Sequence, residues 1–141
     1  MRKIIFLLLL AMVVFSNAKE PGTSPKIDIN LAKMSSTMVY AQVYQMVTDP
    51  SKFVGKRIKM KGVFSTYYDE ETKRRFFGCV IADALACCSQ GLAFELLKPR
   101  KYPEQYPAES DPITIEGDFD YEKDEEAGGF PIIRNAIMRN D

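Results

Sequence analysis

Ile58-Lys-Met-Lys-Gly-Val-Phe64 and Ile113-Thr-Ile-Glu-Gly-Asp-Phe119 share one pattern, Ile-x-apolar-charged-Gly-x-Phe, in two distant parts of the chain. Around the first copy, Ile58, Met60 and Phe64 alternate with Arg57, Lys59 and Lys61. A period of two marks a strand with one buried face. Each copy runs into an acidic turn and then into Phe76-Phe77 or Phe130. A glycine repeated at mid-strand points to a bulge or sharp bend, the device that curls a strand round a small barrel.

Working outward, Asp69-Glu-Glu-Thr-Lys73 reads as a polar turn and Arg74 to Ala82 as the returning strand. Gly91 to Leu97 is a third strand, followed by a loop rich in tyrosine and proline from Pro99 to Pro107. Ile113 to Tyr121 is the fourth strand, Lys123 to Gly129 a long hairpin turn, and Phe130 to Met138 the fifth. Upstream, Val39, Val43, Met46 and Val47 fall on one face of a helix over Ser36 to Val47. Asp49-Pro50 ends it, because proline disfavours helical geometry in the residue before it. The expected fold is mainly β: a five-stranded, partly open OB-like barrel with one N-terminal amphipathic helix. The competing arrangement is an open antiparallel sheet with a helix packed on it.

Ahead of this domain, Arg2 and Lys3 precede an apolar run from Ile4 to Phe15, and Ser16-Asn17-Ala18 supplies small residues for cleavage. Residues 1–18 therefore read as a signal peptide, 19–34 as a flexible leader and 35–141 as the OB-like domain. The apolar run is shorter than the roughly twenty residues of a membrane span. An uncleaved anchor is the competing reading. The expected product is exported, periplasmic or extracellular after cleavage near Ala18, with no transmembrane segment in the mature chain.

Lys plus Arg and Asp plus Glu number 19 each, so no net field draws the chain to nucleic acid or anionic lipid. Histidine is absent, which removes the Ser-His-Asp arrangement and most hydrolytic zinc sites. No catalytic residue is assigned. A nucleic-acid reading would use Lys52, Lys56, Arg57, Lys59, Lys61 and Lys73 to Arg75, with Tyr67, Tyr68, Phe76 and Phe77 as stacking faces. It ranks low, because Thr114, Glu116, Asp118 and Asp120 on the fourth strand would oppose that basic stripe. The acidic hairpin lacks the ligand spacing of a calcium loop. Tyr102, Tyr106, Tyr67 and Phe76 are candidates for a ligand surface.

All three cysteines lie in Cys79-Val-Ile-Ala-Asp-Ala-Leu-Ala-Cys-Cys-Ser-Gln-Gly91. Cys79 sits in the alternation with Phe77 and Ile81, and Cys87-Cys88 just precedes the third strand. Three readings stay open. Cys79 can form a disulfide with Cys87 or Cys88, since antiparallel strands bring the two ends of the connection together. Cys79, Cys87 and Cys88 with Asp83 can hold a thiophilic ion, Zn or Cu(I). The thiols can be redox-active, although Cys-x-x-Cys at a helix start, which lowers a thiol pKa, is missing. Buried free cysteine also serves as a small apolar residue.

Ala82-Asp-Ala-Leu-Ala-Cys-Cys-Ser-Gln-Gly-Leu-Ala-Phe94 resembles a segment of small secreted bacterial proteins of unknown function that carry an OB-like domain. It is also distantly similar to the soluble subunit of two-component permeases, where the Cys-Cys precedes the Ala-Asp-Ala. That resemblance implies a membrane transport or envelope protein as partner and brings no activity with it. The expectation is an exported, non-catalytic binding module with a three-cysteine metal cluster. A thiol-disulfide protein and a structural or interaction domain with one disulfide are the alternatives.

Overall fold

The computed structural model describes residues 25–83, 85, 87–123 and 128–141. The segment read as a signal peptide lies outside them. Among the described residues are six strands and one α-helix: β1 (Ile29–Asn30), α1 (Ser36–Thr48), β2 (Arg57–Asp69), β3 (Arg74–Ala82), β4 (Ser89–Leu96), β5 (Pro112–Glu122) and β6 (Phe130–Asn140). The period-two segments thus form β2 to β6, and the polar turn lies between β2 and β3. Asp69 shapes that turn by accepting hydrogen bonds from the Glu71 amide at 3.0 Å and the Thr72 hydroxyl at 2.6 Å.

β2 does the work of two strands. Arg57 to Val63 pair antiparallel with β5, and Val63 to Asp69 pair antiparallel with β3. The change of partner falls beside Gly62. A Cβ there would meet the Val80 carbonyl oxygen at 2.5 Å and Cys79 Sγ at 2.7 Å, so only glycine lets the bent strand approach. In the second copy of the motif the register of β5 on β6 shifts at Gly117, between Glu116–Ile137 and Asp118–Arg134. Asn135 takes φ 51° opposite that point, where asparagine tolerates the left-handed region better than most residues. The two glycines therefore mark a partner change and a bulge.

β3 pairs antiparallel with β4, β4 parallel with β6, and β6 antiparallel with β5, which returns to β2. This is a mixed sheet in a partly closed ring, with the β4–β6 contact short and irregular. The two parallel pairings exclude a purely antiparallel sheet. Inside the ring, Ile58, Met60, Phe64, Leu92, Ile113, Ile115, Phe119 and Ile133 are almost entirely buried. Each such side chain contributes about 1.5–3 kcal/mol through burial. Helix α1 buries Val43 and Met46 completely, with Val39 and Val47 partly covered, as the face spacing requires.

Two expectations need correction. The stretch read as leader is structured from Asp28 onward: β1 pairs parallel with Ile58 and Lys59, and Leu31 is fully buried. The reason is an unfilled edge, because β3 engages β2 only from Val63 and leaves its first half open on that side. Asp28 accepts from the Arg57 amide at 2.8 Å and donates its own amide to the Arg57 carbonyl at 2.9 Å. Thr114 and Glu116, read as outward residues opposing the basic stripe, are buried. The Arg57 side chain lies along Glu116, and Asp141 accepts the Thr114 hydroxyl at 2.8 Å.

Candidate metal centre

Cys87 and Cys88 lie on the connection from β3 to β4, which the Asp83 amide ties by donating to the Cys88 carbonyl at 2.9 Å. Asp83 organises this loop with both carboxylate oxygens. Oδ1 accepts the amides of Leu85 at 3.1 Å and Cys87 at 3.0 Å, an Asx turn. Oδ2 accepts the Cys87 thiol at 3.1 Å, and the Cys87 and Cys88 sulfurs stand 3.8 Å apart. One ligand atom from each of Asp83, Cys87 and Cys88 fits within 4.8 Å of the others. Both cysteines are exposed.

Cys79 belongs elsewhere. It is fully buried in the ring, opposite Leu92, while Ala82 opposite Ser89 marks the end of the ladder. Three residues of strand, roughly 10 Å, separate Cys79 from that end. Its side chain also turns inward with the core, while the Cys-Cys pair lies beyond the ladder. The three-cysteine cluster and the Cys79 disulfide are therefore replaced by a two-cysteine, one-aspartate group, and all three sulfurs are free thiols.

The protonation pattern follows from these surroundings. Burial pushes the Cys79 thiol up to about 12, with the negative charge of Asp141 adding to it. Cys87 is raised because its proton is held on Asp83, and Cys88 reinforces the effect. The same Cys87 hydrogen bond holds the Asp83 carboxyl below its ordinary value. A thiol with its proton retained in this way is not a stored nucleophile.

A tetrahedral ion would fit between the sulfurs. Zinc–thiolate bonds of about 2.3 Å at the tetrahedral angle put two sulfurs about 3.8 Å apart, which matches the 3.8 Å observed. A linear two-thiolate ion such as Cu(I) would hold them at twice the bond length, wider than they stand.

The aromatic candidates divide between two places. Tyr106 stacks on Phe77 with centroids 4.2 Å apart, and Tyr102 packs on both rings at 5.7 and 5.8 Å. The Tyr-Pro loop thereby covers one end of the ring. Phe76 meets Phe130 edge-on at 5.5 Å, and Tyr67 is exposed on the outer face opposite Phe76 in the ladder. Arg75, read from the sequence only as part of the basic stripe, and Arg100, which was not picked out, stand beside these rings; the signals available were Phe76 next to Arg75 and Tyr102 two residues after Arg100.

Part of the basic stripe meets carboxylates of β5 in the register expected of it. Arg57 opposes Asp118 and Lys59 opposes Glu116. Arg57 donates to Asp118 at 2.8 Å, and Lys61 reaches Asp141 at 3.0 Å. No helix among the described residues is long and apolar enough to cross a membrane. No protein-family model and no curated protein matches this sequence.

Proposed function

We propose that the chain is an exported, OB-like binding module that holds one Zn²⁺ ion through Cys87, Cys88 and Asp83. The observation that carries this reading is the convergence of three ligand atoms within 4.8 Å on an exposed loop. The 3.8 Å sulfur separation suits a tetrahedral ion without rearrangement. The ring order, with its bent first long strand shared between two neighbours and its parallel closure, supports the OB-like assignment. Export rests on the charged, apolar and small-residue sequence of residues 1–18.

Zinc displaces the thiol protons as it binds, so Cys87 exchanges its hydrogen bond to Asp83 for a shared metal. Asp83 would keep its Oδ1 bonds to the loop amides and offer Oδ2 to the ion, so the three residues would leave a tetrahedral ion one ligand short. A side chain of a membrane transport or envelope partner would complete the tetrahedron there. A thiol-disulfide role fits less well, because a nucleophilic cysteine needs a depressed pKa and Cys87 is raised.

Titration of the reduced protein with Co²⁺ tests the assignment. The expected spectrum has thiolate-to-cobalt charge transfer of two-sulfur intensity. It is bleached by one equivalent of Zn²⁺, halved or lost in Cys87→Ser and Cys88→Ser, and unchanged in Cys79→Ser. Charge transfer lost only with Cys79, or absent altogether, contradicts the proposal. Tighter retention of Cu(I) than of Zn²⁺ at a matched chelator would contradict the zinc assignment alone.

A further inference from the structure

At the other end of β3 from the cysteine loop, roughly 25 Å away along the strand, the Tyr-Pro loop leaves a cleft of about 320 Å³. Its walls include Phe77, Phe94, Tyr106 and Ile132, of which Phe94 and Ile132 are buried. Charged side chains form the rim. Arg74 is taken up by Glu122 at 3.0 Å, and Glu95 by Arg134. Arg75 and Arg100 also line the cleft, and among the described residues neither forms an ion pair with a carboxylate.

Both guanidiniums are nonetheless held in place. Arg75 lies over the rings of Tyr102 at 4.4 Å and Tyr68 at 5.1 Å, and donates to the Thr66 hydroxyl at 3.3 Å. Arg100 donates to the Met138 carbonyl at 3.1 Å. Burial raises the Tyr106 phenol above its ordinary value, and the Arg100 charge opposes that shift. A guanidinium fixed by stacking keeps in-plane N–H donors free, in the fork geometry that matches a carboxylate. The cleft thus joins an apolar, aromatic wall to two positive charges that no carboxylate among the described residues pairs.

We infer that this cleft binds a small organic anion, a carboxylate carried on an aromatic or branched apolar body. Arg75 and Arg100 hold the carboxylate, and the body lies against Phe77 and Tyr106. The cavity is at the lower end of the roughly 300–1,000 Å³ range of ligand pockets, which limits the body to about one ring. This site is separate from the proposed zinc ligands and stands whether or not they bind metal.

The test is an NMR titration of the full reduced chain with benzoate, phenyl phosphate and benzamide. Benzoate is expected to bind saturably and shift the resonances of Phe77, Phe94 and Tyr106, while the uncharged benzamide does not. Arg75→Gln and Arg100→Gln should each weaken benzoate by about tenfold or more, as expected for losing a hydrogen bond to a charged group. An unchanged amide spectrum elsewhere in each variant establishes that it is folded, and Arg75→Lys provides a milder change at the same place. Equal binding of benzamide and benzoate, no saturation at millimolar benzoate, or full affinity in the folded glutamine variants would overturn the inference. Stronger binding of phenyl phosphate than of benzoate would overturn the carboxylate assignment. Displacement of benzoate by a short oligothymidylate bound more tightly would assign the cleft to single-stranded nucleic acid instead.

Discussion

Cys79, Cys87 and Cys88 are one cluster in sequence and two environments in space. The alternation of Cys79 with Phe77 and Ile81 already placed it on a strand, and the strand's inward face makes it a small apolar residue. What could not be read was the distance from that position to the loop, because it depends on the register of β3 against β4. Cys79→Ser is expected to leave metal binding intact but to cost about 1–3 kcal/mol, the penalty for an unpartnered hydroxyl in a core, measured by urea unfolding. A pH dependence also follows. Burial raises the folded thiol to about 12 from an ordinary value of 9.0. Between those values the unfolded chain ionises while the folded chain keeps its proton. The contribution of this group is therefore fully present below pH 9 and is lost as pH rises towards 12. Unfolding free energy should fall by up to about 1.4 kcal/mol per pH unit in that window. The wild-type minus Cys79→Ala difference should show that slope; parallel profiles would contradict it.

At the scale of elements, β2 and β5 were the most legible parts of the sequence, because the repeated motif carries both the period of two and the bending glycine. The glycines make an internal comparison possible. Gly62→Ala and Gly117→Ala push a methyl group to within 2.7 Å of neighbouring backbone, and each should cost about 1–3 kcal/mol or more through overpacking. Gly78→Ala meets nothing closer than 3.8 Å and should be nearly neutral by the same denaturation measurement. Strand β1 was not legible: two residues carry no period, and the edge they cover exists only once β2 has changed partners. Arg57 shows a similar limit. Its pairing with β5 followed from charge complementarity, but not that Glu116 would be buried beneath it. Arg57→Ala leaves that carboxylate unpaired and should cost about 3–5 kcal/mol, whereas Arg57→Met with Glu116→Leu should recover most of the loss. Calorimetry of the two variants would show the difference, and equal destabilisation would contradict this account of the pair.

For the whole molecule, local patterns carried the strand content, the helix and the order of elements. The parallel contact of β4 with β6, which turns a meander into a ring, has no local signature and comes from packing. The two sites differ in this respect. Asp83, Cys87 and Cys88 are near neighbours in the chain and could be picked out as a group. The aromatic cleft gathers residues from β3, β4, β6 and the Tyr-Pro loop, so its two arginines line one cleft only in three dimensions. As proposed, Asp83 and the exposed Cys-Cys pair, without the buried Cys79, form the zinc ligand set. Native mass spectrometry of the reduced chain, exchanged into Zn²⁺ and then freed of excess metal, tests it most directly. The predicted result is one zinc per chain with two protons displaced, retained by Cys79→Ala and absent from the Cys87→Ser, Cys88→Ser double variant. A metal-free mass for the wild type, or a zinc adduct that survives in the double variant, would contradict it.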